Sequence, residues 1–179
     1  MGRKCIVSKI VSGGQTGADR GGLDAAIELG IPHGGWCPKG RKAEDDVIPA
    51  KYQLKEMASK DYLKRTLQNI LDSDVTAIFT YGEPTGGSFK TMIYCEDHNK
   101  IYLRFDLLRF DDSNAVAKLG SVMEKGRGGW IMLGEPIIPE NFVLNVAGSR
   151  ESKAPGIQLR VKNILVLALS GKVYPIGGE

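Results

Sequence analysis

The sequence has few of the residues that mark metal-binding, disulfide-stabilised or membrane-spanning proteins. Its 179 residues include three cysteines and two histidines, and none of these has the spacing of a zinc site. An odd number of widely separated cysteines favours reduced thiols over a disulfide framework. The apolar run at 164–169 is far too short to cross a bilayer. We therefore expect a soluble, cytoplasmic protein with no metal site and no membrane partner.

The sequence also lacks an excess of charge of either sign. Its net charge is +3, and its lysines and arginines form no basic run, so we expect no nucleic-acid partner. The apolar fraction of 42% and the charged fraction of 25% are ordinary for a globular protein. A chain of this length can bury a core of its own. We expect residues 1–179 to form a single ligand-binding domain.

Glycine is abundant, and the most informative glycines lie in the stretch 12–20, Ser-Gly-Gly-Gln-Thr-Gly-Ala-Asp-Arg. An apolar run precedes this stretch, and apolar residues at helical spacing follow it, which predicts a strand, a tight turn and a helix. The turn matches neither the dinucleotide-binding fingerprint nor the P-loop. It is either a plain turn in which Thr16 or Asp19 caps the helix, or an anion-binding site at a helix N-terminus.

The rest of the chain alternates buried strands with amphipathic helices. We predict strands at 6–12 (buried on both faces), 75–80, 101–105 and 142–147, a short strand near Ile31, and helices at 18–29, 61–71, 89–97, 113–123 and 155–169, with a loop at 126–139. This alternation indicates a mostly parallel sheet covered by helices on both faces. The turns that hold Gly13, Gly86 and Gly148 should then meet at one edge of the sheet, where such folds bind ligands.

Several motifs in order resemble the family of putative molybdenum carrier proteins, within the SLOG superfamily of Rossmann-like domains. They lie at 12–20, 34–41, 43–45, 85–88 and 144–152, and the resemblance spans residues 9–169. It implies a Rossmann-like three-layer α/β/α sandwich, a site at the carboxyl edge of the strands, and a homo-oligomer. The family name implies the molybdenum cofactor or molybdate as ligand.

The same superfamily contains phosphoribohydrolases with the signature Pro-Gly-Gly-x-Gly-Thr-x-x-Glu, in which the glutamate is catalytic. The corresponding stretch here is 85–93, and Ile93 stands where that glutamate would be. Glycosidic cleavage requires a carboxylate to handle protons or stabilise positive charge. The glycine turn is retained, so the resemblance favours binding without this hydrolysis, and we assign no catalytic residue.

The sequence therefore predicts a site for a phosphorylated or oxyanionic ligand. Backbone amides of the first and second glycine turns would hold the anion, and Lys39 and Arg150 would supply positive charge. The predicted binding residues are Gly13, Gly14, Gln15, Thr16, Gly17, Lys39, Gly40, Thr85, Gly86, Gly87, Ser88, Gly148, Ser149 and Arg150. A phosphorylated pterin, molybdate, a nucleotide and an ADP-ribose derivative all fit such a site.

Other interpretations remain open at this point. A hydrolase or transferase could use Asp45, Asp46 or Glu151 in place of the missing glutamate, or the domain could sense a nucleotide-derived ligand. The charged segment 39–46 is either a solvated loop or a flap whose cations, mainly Lys39 and Arg41, approach an anion. Cys37 is either a soft metal ligand or a small packed side chain, and we favour the second.

Overall fold

A five-stranded parallel sheet forms the centre of this computed structural model, which describes residues 6–59, 61–125 and 138–170. The strands in these residues are β1 (Ile6–Val11), β2 (His33–Gly34), β3 (Trp36–Cys37), β4 (Lys42–Ala43), β5 (Asp46–Val47), β6 (Lys55–Glu56), β7 (Val75–Thr80), β8 (Ile101–Asp106) and β9 (Asn141–Gly148). The central sheet has the order β2-β1-β9-β7-β8, and two small two-stranded sheets pair β3 with β6 and β4 with β5. The mostly parallel sheet is confirmed.

Five helices lie in the described residues and cover this sheet in two groups. They are α1 (Ala18–Leu29), α2 (Tyr62–Leu71), α3 (Gly86–Asp97), α4 (Asp112–Lys125) and α5 (Ile157–Leu169). In the first group α1 and α4 each pack on α5, and in the second group α2 packs on α3. The α/β architecture with helices around a parallel sheet is therefore as predicted.

The main core lies between the sheet and the first group of helices. All six residues of β7 are buried, because this strand lies between β8 and β9. The rings of Phe79 and Phe105 stack on neighbouring strands with their centroids 4.7 Å apart. Ala25 and Val161 contribute to this core from α1 and α5. Burial of these apolar side chains is the main force that holds the helices on the sheet.

The predicted elements differ from the structure in several details, including the following. β1 is not buried throughout: Ile6 is 54% exposed, because β2 pairs only with Ile10 and Val11 and leaves the first half of the strand uncovered. α3 begins at Gly86, three residues earlier than predicted. α5 begins at Ile157, two residues later, because Gly156 takes a φ of 84°. The predicted loop at 126–139 lies mostly outside the described residues.

The charged segment after β3 is organised by one arginine. Arg41 donates hydrogen bonds to the backbone carbonyls of Ile48, Pro49, Tyr52 and Leu54 at 2.9–3.3 Å. The segment thereby closes over a small second core, whose buried members are Leu23, Cys37, Ile48 and Tyr52. The Arg41 guanidinium therefore forms its hydrogen bonds within its own loop. Cys37 is a packed side chain of the second core.

Candidate functional site

The turns after β1, β7 and β9 meet at the carboxyl edge of the sheet. These three strands are adjacent in the order β1-β9-β7, so their turns must be neighbours. One pocket of about 80 Å³ is lined by Gly13 from the first turn, Gly148 and Arg150 from the third, and Gly87 from the start of α3. Gln15 also lines it. We call this the glycine-edge pocket.

Two charged side chains that are largely buried also line the glycine-edge pocket. They are Asp19 at the start of α1 and Arg65 on α2. Their side chains are only 8% and 13% exposed, and Nη1 of Arg65 lies 3.3 Å from Oδ2 of Asp19. Burial raises the pKa of Asp19, whereas the charges of Arg65 and Arg150 act in the opposite direction. The pocket therefore pairs a desolvated carboxyl group with a guanidinium group.

The Arg65 side chain occupies the space beside Gly13. A Cβ atom on Gly13 would lie 1.5 Å from Nη1 of Arg65, so the missing side chain makes room for the guanidinium. Nε of Arg65 is buried and has no hydrogen-bond partner in the described part of the chain. Arg65 was not among the binding residues predicted from the sequence. The only available signal was its position within a predicted amphipathic helix, which does not say which polar side chain turns inward.

Gln15 and Thr16 in the first glycine turn form hydrogen bonds within the protein. The amide of Gln15 donates to Asp19, and the amide of Thr16 donates to the Gln15 side-chain oxygen at 3.0 Å. That oxygen also accepts from the amide of Glu44 at 2.9 Å. These hydrogen bonds stabilise the turn internally, and the anion-binding role of this turn stays a prediction.

Close backbone approach explains the other two glycines of the first turn. Gly14 has a φ of 75° and packs against Ile48 and Leu54, and its carbonyl accepts from Nε of Arg20 at 3.0 Å. Gly17 has a φ of 81°, and a Cβ there would lie 2.3 Å from the carbonyl oxygen of Ser149. Both positions thus require glycine for packing and backbone conformation.

The start of α3 is more open. Thr85 precedes the helix, and its amide donates to the Ser88 hydroxyl at 3.0 Å. Gly86 and Gly87 occupy the first turn, where the helix itself supplies no carbonyl acceptors for the amides. A Cβ atom on either glycine would meet nothing within 4 Å. This helix N-terminus therefore has both the donors and the space for an anion.

The predicted cations are placed differently from one another. Arg150 is exposed and lines the glycine-edge pocket. Lys39 and Gly40 do not line it: their amides donate to the Ser59 carbonyl at 3.4 Å and to the Glu56 carboxylate at 2.7 Å. Of the two charged residues chosen from the sequence, the structure brings only Arg150 to the pocket.

Asp45 and Glu151, two of the three acidic residues considered from the sequence, line a second, more open cleft of about 470 Å³ beside Thr16, whereas Asp46 does not line it. Asp45 forms a two-point salt bridge with Arg20 at 2.6 and 2.7 Å, which lowers the pKa of Asp45. Glu151 accepts hydrogen bonds from the amides of Gly156 and Gln158 just before and at the start of α5. Both carboxylates are thereby held by partners within the protein.

Glu44 belongs to the same cleft and binds Thr16 and Ser152. The Ser152 hydroxyl donates to Glu44 at 2.6 Å, and the Thr16 hydroxyl donates to its other oxygen. Burial acts to raise the pKa of Glu44, but these hydrogen bonds outweigh it, so the pKa is lowered. A carboxylate held in its charged form is poorly suited to act as a general acid.

Comparison with known proteins identifies the family. Residues 10–169 match the circularly permutated YpsA SLOG family. The chain belongs to this family. A crystal structure from Syntrophus aciditrophicus SB, described as a putative molybdenum carrier protein, superposes with a TM-score of 0.81 at 42% sequence identity, covering 93% of this chain and 97% of that one. A comparison with curated proteins gave no match.

Two features are absent from the described residues of this SLOG protein. Across residues 6–59, 61–125 and 138–170, no group of three or more histidine, cysteine, aspartate or glutamate side chains is arranged to hold a metal ion. Over the same ranges, no helix has the length and hydropathy needed to span a membrane.

Proposed function

We propose that this SLOG domain is a carrier that binds the molybdenum cofactor, or a related phosphorylated or oxyanionic ligand, at the glycine-edge pocket. The observation that carries the proposal is the meeting of two guanidinium groups, those of Arg65 and Arg150, with the first turn of α3 at one pocket. Cations and unpaired helix amides together favour a phosphate or similar anion. The description of the related crystal structure supports molybdenum chemistry in particular.

The size of the pocket limits how such a ligand could bind. Its volume of about 80 Å³ is well below the roughly 300–1,000 Å³ of pockets that enclose drug-sized molecules. A tetrahedral oxyanion fits within it, whereas a pterin or nucleoside would have to extend outward. Tyr62 and Leu63 line the pocket and are 38% and 42% exposed, so they offer an apolar surface to a ring system. Only the anionic group would then be buried.

Replacing Gly87 with valine should weaken binding and leave the protein folded. The new side chain would enter the open space beside the first turn of α3, where it would hinder an anion without meeting a protein atom within 4 Å of its Cβ. Loss of hydrogen bonds to a charged group, worth about 1.5–3 kcal/mol, corresponds to roughly ten- to hundredfold weaker binding. The measurement is isothermal titration with sodium molybdate, inorganic phosphate, ADP-ribose and isolated molybdenum cofactor.

Gly120→Val provides a matched control for that variant. Gly120 lies in α4, and a Cβ there also meets nothing within 4 Å. This control should keep the wild-type affinity. The proposal is wrong if the wild-type protein binds none of the four ligands, or if folded Gly87→Val binds as tightly as the control. Conversion of ADP-ribose to a product would instead support the enzymatic alternative.

A homo-oligomer, a cytoplasmic location and the absence of nucleic-acid binding stay predictions from the sequence and its resemblance. Light scattering of the purified protein would measure the first of these directly. We propose the homo-oligomer on the resemblance alone, and no residue of the glycine-edge pocket is assigned to the contact between copies.

A further inference from the structure

Arg65, whose side chain is largely buried, is less well paired than Arg20 in the described residues. Its Nη1 contacts Asp19 at 3.3 Å, and its Nε has no hydrogen-bond partner among residues 6–59, 61–125 and 138–170. By contrast, Arg20 donates to both oxygens of Asp45 at 2.6 and 2.7 Å and to the Gly14 carbonyl at 3.0 Å. A guanidinium group carries five N–H donors, and leaving one buried and unpaired is unfavourable.

The position of Arg65 matters as much as its poor pairing. Its guanidinium lies directly beside Gly13, a residue of the first glycine turn. Arg65 lines the same pocket as Gly87. An oxyanion in this pocket would offer acceptors to the guanidinium group of Arg65. It would also take the place of Asp19, whose Oδ2 is shared between Arg65 and the amide of Gln15.

We propose that Arg65 is the principal anion-binding side chain of the glycine-edge pocket, and that Asp19 is an internal competitor that holds it when no ligand is bound. This inference rests on the proposed function and names the residue that would carry it. Binding is then an exchange of one carboxylate for one tetrahedral oxyanion at the same guanidinium. Asp19 lowers the affinity of the pocket for the oxyanion. When no ligand is bound, Asp19 also prevents Arg65 from being a wholly unpaired buried charge.

A double-mutant cycle on Arg65 and Asp19 tests this inference, with sodium molybdate and inorganic phosphate as the probes in isothermal titration. Arg65→Met should weaken binding of the better probe at least tenfold. Asp19→Asn should strengthen it severalfold, because asparagine keeps an acceptor for the Gln15 amide but no longer competes as a charge. In the Arg65→Met background, the gain from Asp19→Asn should largely disappear. Lys64→Met is the matched control, since it removes one exposed positive charge from the same helix.

The double variant also guards against misfolding, because it removes both buried charges together. Its near- and far-ultraviolet circular dichroism should match those of the wild type. The inference is overturned if folded Arg65→Met keeps wild-type affinity, or if Asp19→Asn has the same effect with and without Arg65. In either case, if Gly87→Val still loses affinity for the probe, the proposed function is retained and only the role of Arg65 is refuted. Absence of any binding to the wild type would instead refute the proposed function itself.

Discussion

Replacing Gly148 with alanine should destabilise the protein by about 3 kcal/mol or more, a large part of the roughly 5–15 kcal/mol by which a native domain is stable. A Cβ atom at this position would lie 1.8 Å from the carbonyl oxygen of Phe79 and 2.9 Å from the Cβ of Ala18. The first of these is a backbone atom of the central strand β7. That strand cannot yield easily, because the Ser149 amide also binds the Phe79 carbonyl, at 2.9 Å.

Guanidinium chloride unfolding, followed by tryptophan fluorescence and circular dichroism, would measure this loss. Gly156→Ala is the matched control: Gly156 has a φ of 84°, but a Cβ there meets nothing within 4 Å. The control isolates the backbone cost of a left-handed residue, about 1–2 kcal/mol. Equal unfolding midpoints for the two variants would show that the contact with the Phe79 carbonyl adds nothing to the loss of stability.

The location of Gly148 could be predicted from the sequence, whereas its packing role could not. The sequence predicted that this turn lies with those of Gly13 and Gly86, and the strand order places all three at one edge. It treated the glycine as part of an anion cradle. The structure shows that Gly148 lets β9 and β7 approach closely at their carboxyl ends, and its part in anion binding stays a prediction. A pattern of glycines predicts turns well, but whether a turn faces a ligand or a neighbouring strand depends on packing.

The regular elements were predictable because each carries its own signal. α1 was predicted at its observed bounds, since its apolar spacing is clear and Gly30 ends it with a φ of 67°. β7 was likewise predicted at its observed bounds from a continuous apolar run. The start of α5 was wrong by two residues, because Pro155 is typical of a first turn but Gly156 adopts a left-handed conformation that delays the helix.

Arg65 could not have been identified in the same way. Its partner Asp19 is 46 residues earlier in the chain, and the two meet only after α2 packs beside the carboxyl edge of the sheet. Nothing in the local sequence distinguishes this arginine from the exposed Lys64 beside it. The inward direction of one polar side chain on an amphipathic helix is a tertiary property, so the most informative residue of the site was the one that the sequence could not indicate.

Arg41 is a second tertiary feature, and Arg41→Met should destabilise the protein by about 3 kcal/mol. Its guanidinium donates to four backbone carbonyls between Ile48 and Leu54. Each hydrogen bond from a charged donor contributes about 1.5–3 kcal/mol on its own, but bonds that share one side chain are not additive. Urea unfolding would measure the change. Arg41→Lys should recover only part of it, because one ammonium nitrogen cannot reach carbonyls on several sides.

The control for Arg41 is Arg109→Met, because the side chain of Arg109 is 77% exposed and its ion pair with Asp106 is 3.5 Å long. That change should alter stability by less than about 0.5 kcal/mol. The result also decides between the two interpretations of the charged segment. If Arg41 were a flap cation, Arg41→Met would keep wild-type stability and lose affinity for molybdate and phosphate. If it holds the loop, stability falls, and the Arg65-dependent binding persists wherever the variant is folded.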